Sequence, residues 1–179
     1  MTTDKLPPLP QPKQITKKQL QGMRSRAKGK AFEDRLDATF AYYASRGYAL
    51  IDKTPEPFKV IKRLEYLRFI GCFQKKAQPD YKGTIKGGRS VVFEAKYTDS
   101  DRIQQDRVSD AQWSYMEQAS ELGARCYVIC GFRSGKVYKV PWAVWRTMKE
   151  TFGHKYMAEI DIACYKVAES WNDLLLVLD

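Results

Sequence analysis

The sequence predicts an α/β protein, a mixed sheet flanked by helices, on three observations. Apolar Phe32, Leu36, Phe40 and Tyr43 recur at spacings of four, four and three, which is one face of a helix. Ser90 to Tyr97 alternates in the two-residue rhythm of a strand. Arg125 to Phe132 is a nearly continuous apolar run, as expected for a strand buried on both sides. Taken in order, the helix should run from Ala31 to Arg46 and stop at Gly47, a residue that readily takes the left-handed turn closing a helix. Tyr48 to Ile51 reads as a short strand, broken by Pro55 and Pro57. After the Ser90–Tyr97 strand, Ser109 to Leu122 reads as a helix. Lys136 to Val140 reads as the hairpin partner of the apolar run across Ser134 and Gly135. Trp142 to Thr151 is expected as one more helix, and Asp173 to Leu178 as a final strand or a packed extension.

With 179 residues and 44% hydrophobic composition, the chain can bury one core. One catalytic domain spanning residues 31–179 is therefore expected, preceded by a basic, flexible arm over residues 1–30. That arm holds eight Lys or Arg and one Asp, so it supplies +7 of the formal net charge of +10. Pro7, Pro8, Pro10 and Pro12 favour an extended start, and Thr16 to Arg26 a helix after it. A concentrated positive charge points to a polyanionic partner, and Lys28 and Lys30 at the end of the arm are candidate DNA contacts.

No stretch approaches the roughly 20 apolar residues of a membrane span, and the polar N-terminus lacks the apolar segment of a signal peptide. A cytoplasmic protein is the expectation. Cys72, Cys126, Cys130 and Cys164 form no CxxC pair and there is a single histidine, His154, which argues against a structural zinc site. Cys126 and Cys130 fall on one strand face and read as small buried apolar residues.

The segment from Phe58 to Lys76 has no single period. It mixes Val60, Ile61, Leu64, Tyr66, Leu67, Phe69 and Ile70 with Lys59, Lys62, Arg63, Arg68, Lys75 and Lys76. That mixture suits a projecting element with an apolar side and a cationic side, and its cations are further candidate DNA contacts.

The chemistry concentrates in Val91-Val92-Phe93-Glu94-Ala95-Lys96-Tyr97. Alternation sends Glu94 and Lys96 to one face and Phe93, Ala95 and Tyr97 to the other. Upstream, Pro79-Asp80-Tyr81-Lys82-Gly83 carries a second carboxylate, and a turn through Lys86, Gly87 and Gly88 lets Asp80 and Glu94 converge. Two hard oxygen ligands can hold Mg²⁺, or Mn²⁺ in its place, against a phosphate and activate a water toward phosphorus. Lys96 can orient that water or offset charge building on the phosphate, and the Ala95 carbonyl can add a ligand. Glu33, beside Phe32, is a candidate third carboxylate, acting directly or through water. Gln112, on the following helix, is a candidate accessory residue whose plainer reading is an ordinary helix surface position. A Pro-Asp followed within about twenty residues by an acidic-x-Lys arises by chance in roughly a few per cent of chains, so the apolar strand and basic chain around it give the motif its weight.

Gly29-Lys30-Ala31-Phe32-Glu33, Ile51-Asp52-Lys53-Thr54-Pro55-Glu56-Pro57, Pro79-Asp80-Tyr81-Lys82-Gly83, Phe93-Glu94-Ala95-Lys96 and Gln112 together resemble the RecU family of Holliday junction resolvases, across roughly Gly29 to Val140. The resemblance implies a restriction-endonuclease-like fold of the PD-(D/E)xK type and a homodimer with Mg²⁺-dependent, symmetric nicking of four-way junction DNA. It further implies work alongside other recombination proteins and a stalk, here Phe58 to Lys76, reaching into the junction centre. The chain departs from the family at Gln78, where members often carry a small hydroxyl residue, which makes Gln78 a second accessory candidate. A PD-(D/E)xK nuclease with another target, such as a restriction-type or flap-cutting enzyme, is the alternative.

Overall fold

A computed structural model describes residues 15–55, 57–66, 68–73 and 78–178. Lys75, Lys76, Leu67 and the Pro-rich start lie outside the described residues. Helix α1 spans Lys17–Ser45. At its start the Thr16 hydroxyl accepts from the Gln19 N–H (3.2 Å) while the Gln19 side-chain oxygen accepts from the Thr16 N–H (2.9 Å), a reciprocal cap. At its end Gly47, at φ 67°, donates to the Ala44 carbonyl and Tyr48 to that of Tyr43, so the last carbonyls are satisfied. The stop therefore falls where Gly47 predicts it. The start does not, because α1 runs unbroken through residue 30, where the sequence suggested a boundary between arm and domain. Only Gly29 interrupts good helix formers there, and one glycine costs about 1 kcal/mol without breaking a helix.

Five strands form the main sheet: β1 (Ala49–Lys53), β4 (Tyr81–Ile85), β5 (Arg89–Thr98), β7 (Arg125–Phe132) and β8 (Val137–Pro141), in the order β1-β4-β5-β7-β8. All neighbours are antiparallel except β5 and β7. Between them come β2 (Phe58–Arg63), β3 (Phe69–Phe73), β6 (Arg102–Gln104) and α2 (Asp110–Glu121), and after them α3 (Trp142–Arg146), α4 (Met148–Phe152) and β9 (Tyr156–Ala158). The β4–β5 turn needs two glycines, since Gly87 and Gly88 take φ of 93° and 83°. Gly83 is required for a different reason. A Cβ there would run into the backbone of Leu50 and Ile51 on β1.

Strand alternation sorts the core into two layers. Val91, Phe93 and Ala95 pack with Phe32, Leu36, Phe40 and Tyr43 of α1 on one face. Val92, Val128, Cys126 and Cys130 pack with Met116, Trp142 and Trp145 on the other. Both cysteines are thus buried apolar residues, and burial pushes their thiols above the ordinary range.

Two expected elements differ. The helix expected over Trp142–Thr151 is split at Thr147, whose hydroxyl donates to the Ala143 carbonyl at 2.8 Å while its own backbone opens to ψ 26°. The C-terminal tail is a packed extension, the second of the two expectations. Leu175 and Val177 are fully buried under α1, with the Leu175 N–H donating to Thr39 Oγ1 (3.1 Å) and its carbonyl accepting from Tyr43 (3.2 Å). The β6–β9 ribbon had no sequence signal, since each strand is three residues long.

Candidate active site

A cleft of about 650 Å³ opens where β4 begins and β5 ends, beneath the N-terminal half of α1. The β4–β5 register pairs Tyr81 with Phe93, which sets Asp80 beside Glu94. Asp80 is held through both backbone and side chain: its N–H donates to Glu94 Oε2 (3.2 Å), its carbonyl accepts from Thr54 (2.8 Å), and its Oδ2 accepts from the Ala95 N–H (2.9 Å). Glu94 is fully buried and Asp80 only 8% exposed. Glu94 Oε1 takes Lys96 Nζ at 2.6 Å and Gln112 Nε2 at 2.7 Å.

Burial, and then the neighbouring Asp80 charge, push Glu94 up to about 7, and Lys96 pulls the other way. Two adjacent, largely buried carboxylates are hard oxygen donors whose mutual repulsion a divalent cation would relieve, so the donor set fits Mg²⁺. Among the described residues, no group of three or more His, Cys, Asp or Glu side chains gathers as a metal cage. Glu33 lines the same cleft, yet its carboxylate pairs with Lys53 at 2.9 Å. Lys53 also reaches Asp37 (3.2 Å), which accepts from the Tyr81 hydroxyl at 2.6 Å.

A model of the Recombination protein U family matches residues 27–173. The chain belongs to that family. Among curated relatives it is similar to "Holliday junction resolvase RecU" of Bacillus pumilus, 32% identical over 133 residues covering 70% of this chain and 64% of that one. It is likewise similar to "Holliday junction resolvase RecU" of Pediococcus pentosaceus, 29% identical over 112 residues, 59% of this chain and 55% of that one. The chain thus spans less than two thirds of either relative's length. Among solved structures, Archaeoglobus fulgidus Hjc, "a Holliday junction resolvase from an archaeal hyperthermophile", aligns at 13% identity with a TM-score of 0.48, covering 83% of this chain and 97% of that one.

Of the residues singled out in the sequence, Asp80, Glu94, Lys96, Glu33, Gln112 and Lys30 line the cleft of this family member. Gln112 is buried rather than a surface residue. Its side-chain oxygen completes the N-terminal cap of α2 with Ser109 while its nitrogen reaches Glu94, so one amide ties the helix to the site. Gln78 is exposed and accepts from Lys82 at 2.5 Å, outside the cleft. Lys28 is turned to Asp99 at 2.8 Å. Lys59, Lys62, Arg63 and Arg68 belong to a separate, exposed hairpin in which, among the described residues, β2 pairs only with β3. Sequence reasoning missed Arg26 and Arg107, which also line the cleft. Arg26 lies on the α1 turn before Lys30, a signal that a single continuous helix would have revealed; Arg107 sits in a 3-10 turn with no signal.

Proposed function

We propose that this protein is a structure-selective, Mg²⁺-dependent endodeoxyribonuclease that resolves four-way DNA junctions in recombination and repair, acting as a homodimer. The observation that carries the reading is the convergence of Asp80, Glu94, Lys96 and Gln112 in one cleft with cations at its rim. Family membership and the names of the relatives support the junction as substrate.

Asp80 and Glu94 would hold Mg²⁺, with Mn²⁺ able to replace it, and the ion would supply Lewis acidity toward a phosphodiester oxygen. Gln112 fixes the Glu94 carboxylate so that its second oxygen faces Asp80. The Lys96 ammonium, positioned against Glu94, orients the attacking water and offsets charge on the phosphate. Arg26, Lys30 and Arg107 grip flanking phosphates, and the β2–β3 hairpin supplies the junction-reading stalk. A twofold dimer presents one such cleft to each of two symmetry-related strands, which yields paired nicks.

A cleavage panel with a four-way junction, a flap and a linear duplex tests the reading. Paired, Mg²⁺-dependent nicks in the junction, lost in Asp80→Ala while DNA binding persists, are expected. Preferential cutting of the flap or duplex would favour the other PD-(D/E)xK targets instead.

A further inference from the structure

The N-terminal half of α1 reaches over the cleft with little to hold it there. None of its described residues before Phe32 is buried. Among the described residues, its only hydrogen bonds to the rest of the molecule go to one side chain, Asp99, just beyond the end of β5. Ser25 donates to Asp99 Oδ2 at 2.6 Å and Lys28, one turn on, to Oδ1 at 2.8 Å. Tyr97 donates to the same Oδ1 at 3.2 Å, fixing the carboxylate from the strand side. Asp99 joins Glu33, Asp80 and Glu94 as the acidic side chains of a cleft that also carries Arg26, Lys30, Lys96 and Arg107; unlike Asp80 and Glu94 it is not a candidate metal ligand, so its place is unfavourable if its only effect were on DNA phosphates.

We propose that Asp99 is a positioning residue: it latches the basic helix across the cleft through Ser25 and Lys28, so that Arg26 and Lys30 face Arg107 on the opposite rim and bind backbone phosphates. This rests on the reading that the cleft takes DNA. It gives Lys28 a different role from that of its neighbours, since the Lys28 ammonium is spent on Asp99 and Arg26 and Lys30 are the phosphate contacts. Gly22 and Gly29, two turns apart on α1, weaken the helix locally, so without the latch the arm bends away.

The sign of one substitution separates the latch from plain electrostatics. Removing a negative charge from a DNA-binding wall should by itself tighten binding. Asp99→Ala in the full chain, measured in EDTA so that no cleavage occurs, should instead weaken binding to duplex and junction DNA about tenfold. It should also flatten the log-log salt dependence by about two phosphate contacts. Amide exchange over residues 20–30, measured without DNA, should speed up at least about tenfold. The charge-swapped pair Lys28→Asp with Asp99→Lys should restore both. Unchanged or tighter binding in Asp99→Ala, unchanged amide protection, or a swap that fails to rescue would each overturn the latch. Wild-type protein that binds DNA in EDTA but cuts nothing with Mg²⁺ would bring down only the nuclease reading, because these readouts need no cleavage.

Discussion

At the cleft, side chains are held in place by neighbours. Glu94 is gripped by Lys96 and Gln112, Asp80 by the Ala95 and Thr54 N–H groups and the Glu94 carboxylate, and Glu33 by Lys53. In the β2–β3 hairpin, Lys59, Lys62, Arg63 and Arg68 stand exposed beside Val60, Ile61, Phe69 and Ile70, and Tyr66 at the turn is 88% exposed with a φ of 56°. The first region is built into a five-stranded sheet and a core, so its geometry is set before any substrate arrives. The second forms a sheet of its own and has the apolar exposure of a surface that meets a partner. Under the proposed function the difference would separate two tasks: fixed carboxylates and an ammonium for chemistry, and an exposed cationic surface for the shape of the substrate.

If that contrast holds, the two regions should respond unequally to substitution. Gly83→Ala drives a methyl into the β1 backbone and should cost about 2–4 kcal/mol of stability. Phe69→Ala in the exposed hairpin should shift the melting temperature by no more than about a degree. Comparable losses in the two variants, read by thermal denaturation, would mean that the hairpin is integral to the core.

Within the cleft, Gln112→Ala removes the amide that orients Glu94 and should lower the cleavage rate about 10–100-fold, as losing a ligand's orienting partner does. Ser109→Ala removes the α2 cap without touching Glu94 and serves as the control. Equal losses in both variants would reduce Gln112 to a capping residue.

The smallest effect concerns pH. Because Glu94 is raised to about 7, the folded protein retains a proton that the unfolded chain releases, and stability falls as pH rises between about 4.5 and 7. A cation bound to Asp80 and Glu94 must displace that proton. Mg²⁺ should therefore raise the melting temperature more at pH 8 than at pH 5.5, and equal shifts would argue against Glu94 as a ligand.

What the sequence carried was local. Two-residue alternation put Glu94 and Lys96 together, Gly87 and Gly88 announced the turn that brings Asp80 back, and the apolar run gave β7 to the residue. What it hid depends on partners distant in the chain. Gln112 looks like a surface residue until α2 is laid against β5, and Glu33 looks available until β1 brings Lys53 beside it. The hairpin had no clean period because a bulge between Val60 and Lys62 shifts its register and neither face is buried in the core. The tail reads equally as a strand or a packed extension because Leu175 and Val177 alternate, and the deciding partners are not visible in the sequence: its backbone bonds to Thr39 and Tyr43 of α1 and to Ala168 and Ser170.

The division between cleft and hairpin is tested most directly by measuring two variants on two substrates, a four-way junction and a linear duplex, for both binding and Mg²⁺-supported cleavage. The variants are Glu94→Gln and a chain shortened by removing Arg63 to Phe73, with circular dichroism confirming that each core is folded. Glu94→Gln should lose cleavage by about a thousandfold or more while still binding the junction in preference to the duplex. The shortened chain should still cleave DNA with Mg²⁺ but lose its preference for the junction. A shortened chain that still cuts junctions selectively and symmetrically, or a Glu94→Gln variant that cuts at the wild-type rate, would contradict the account.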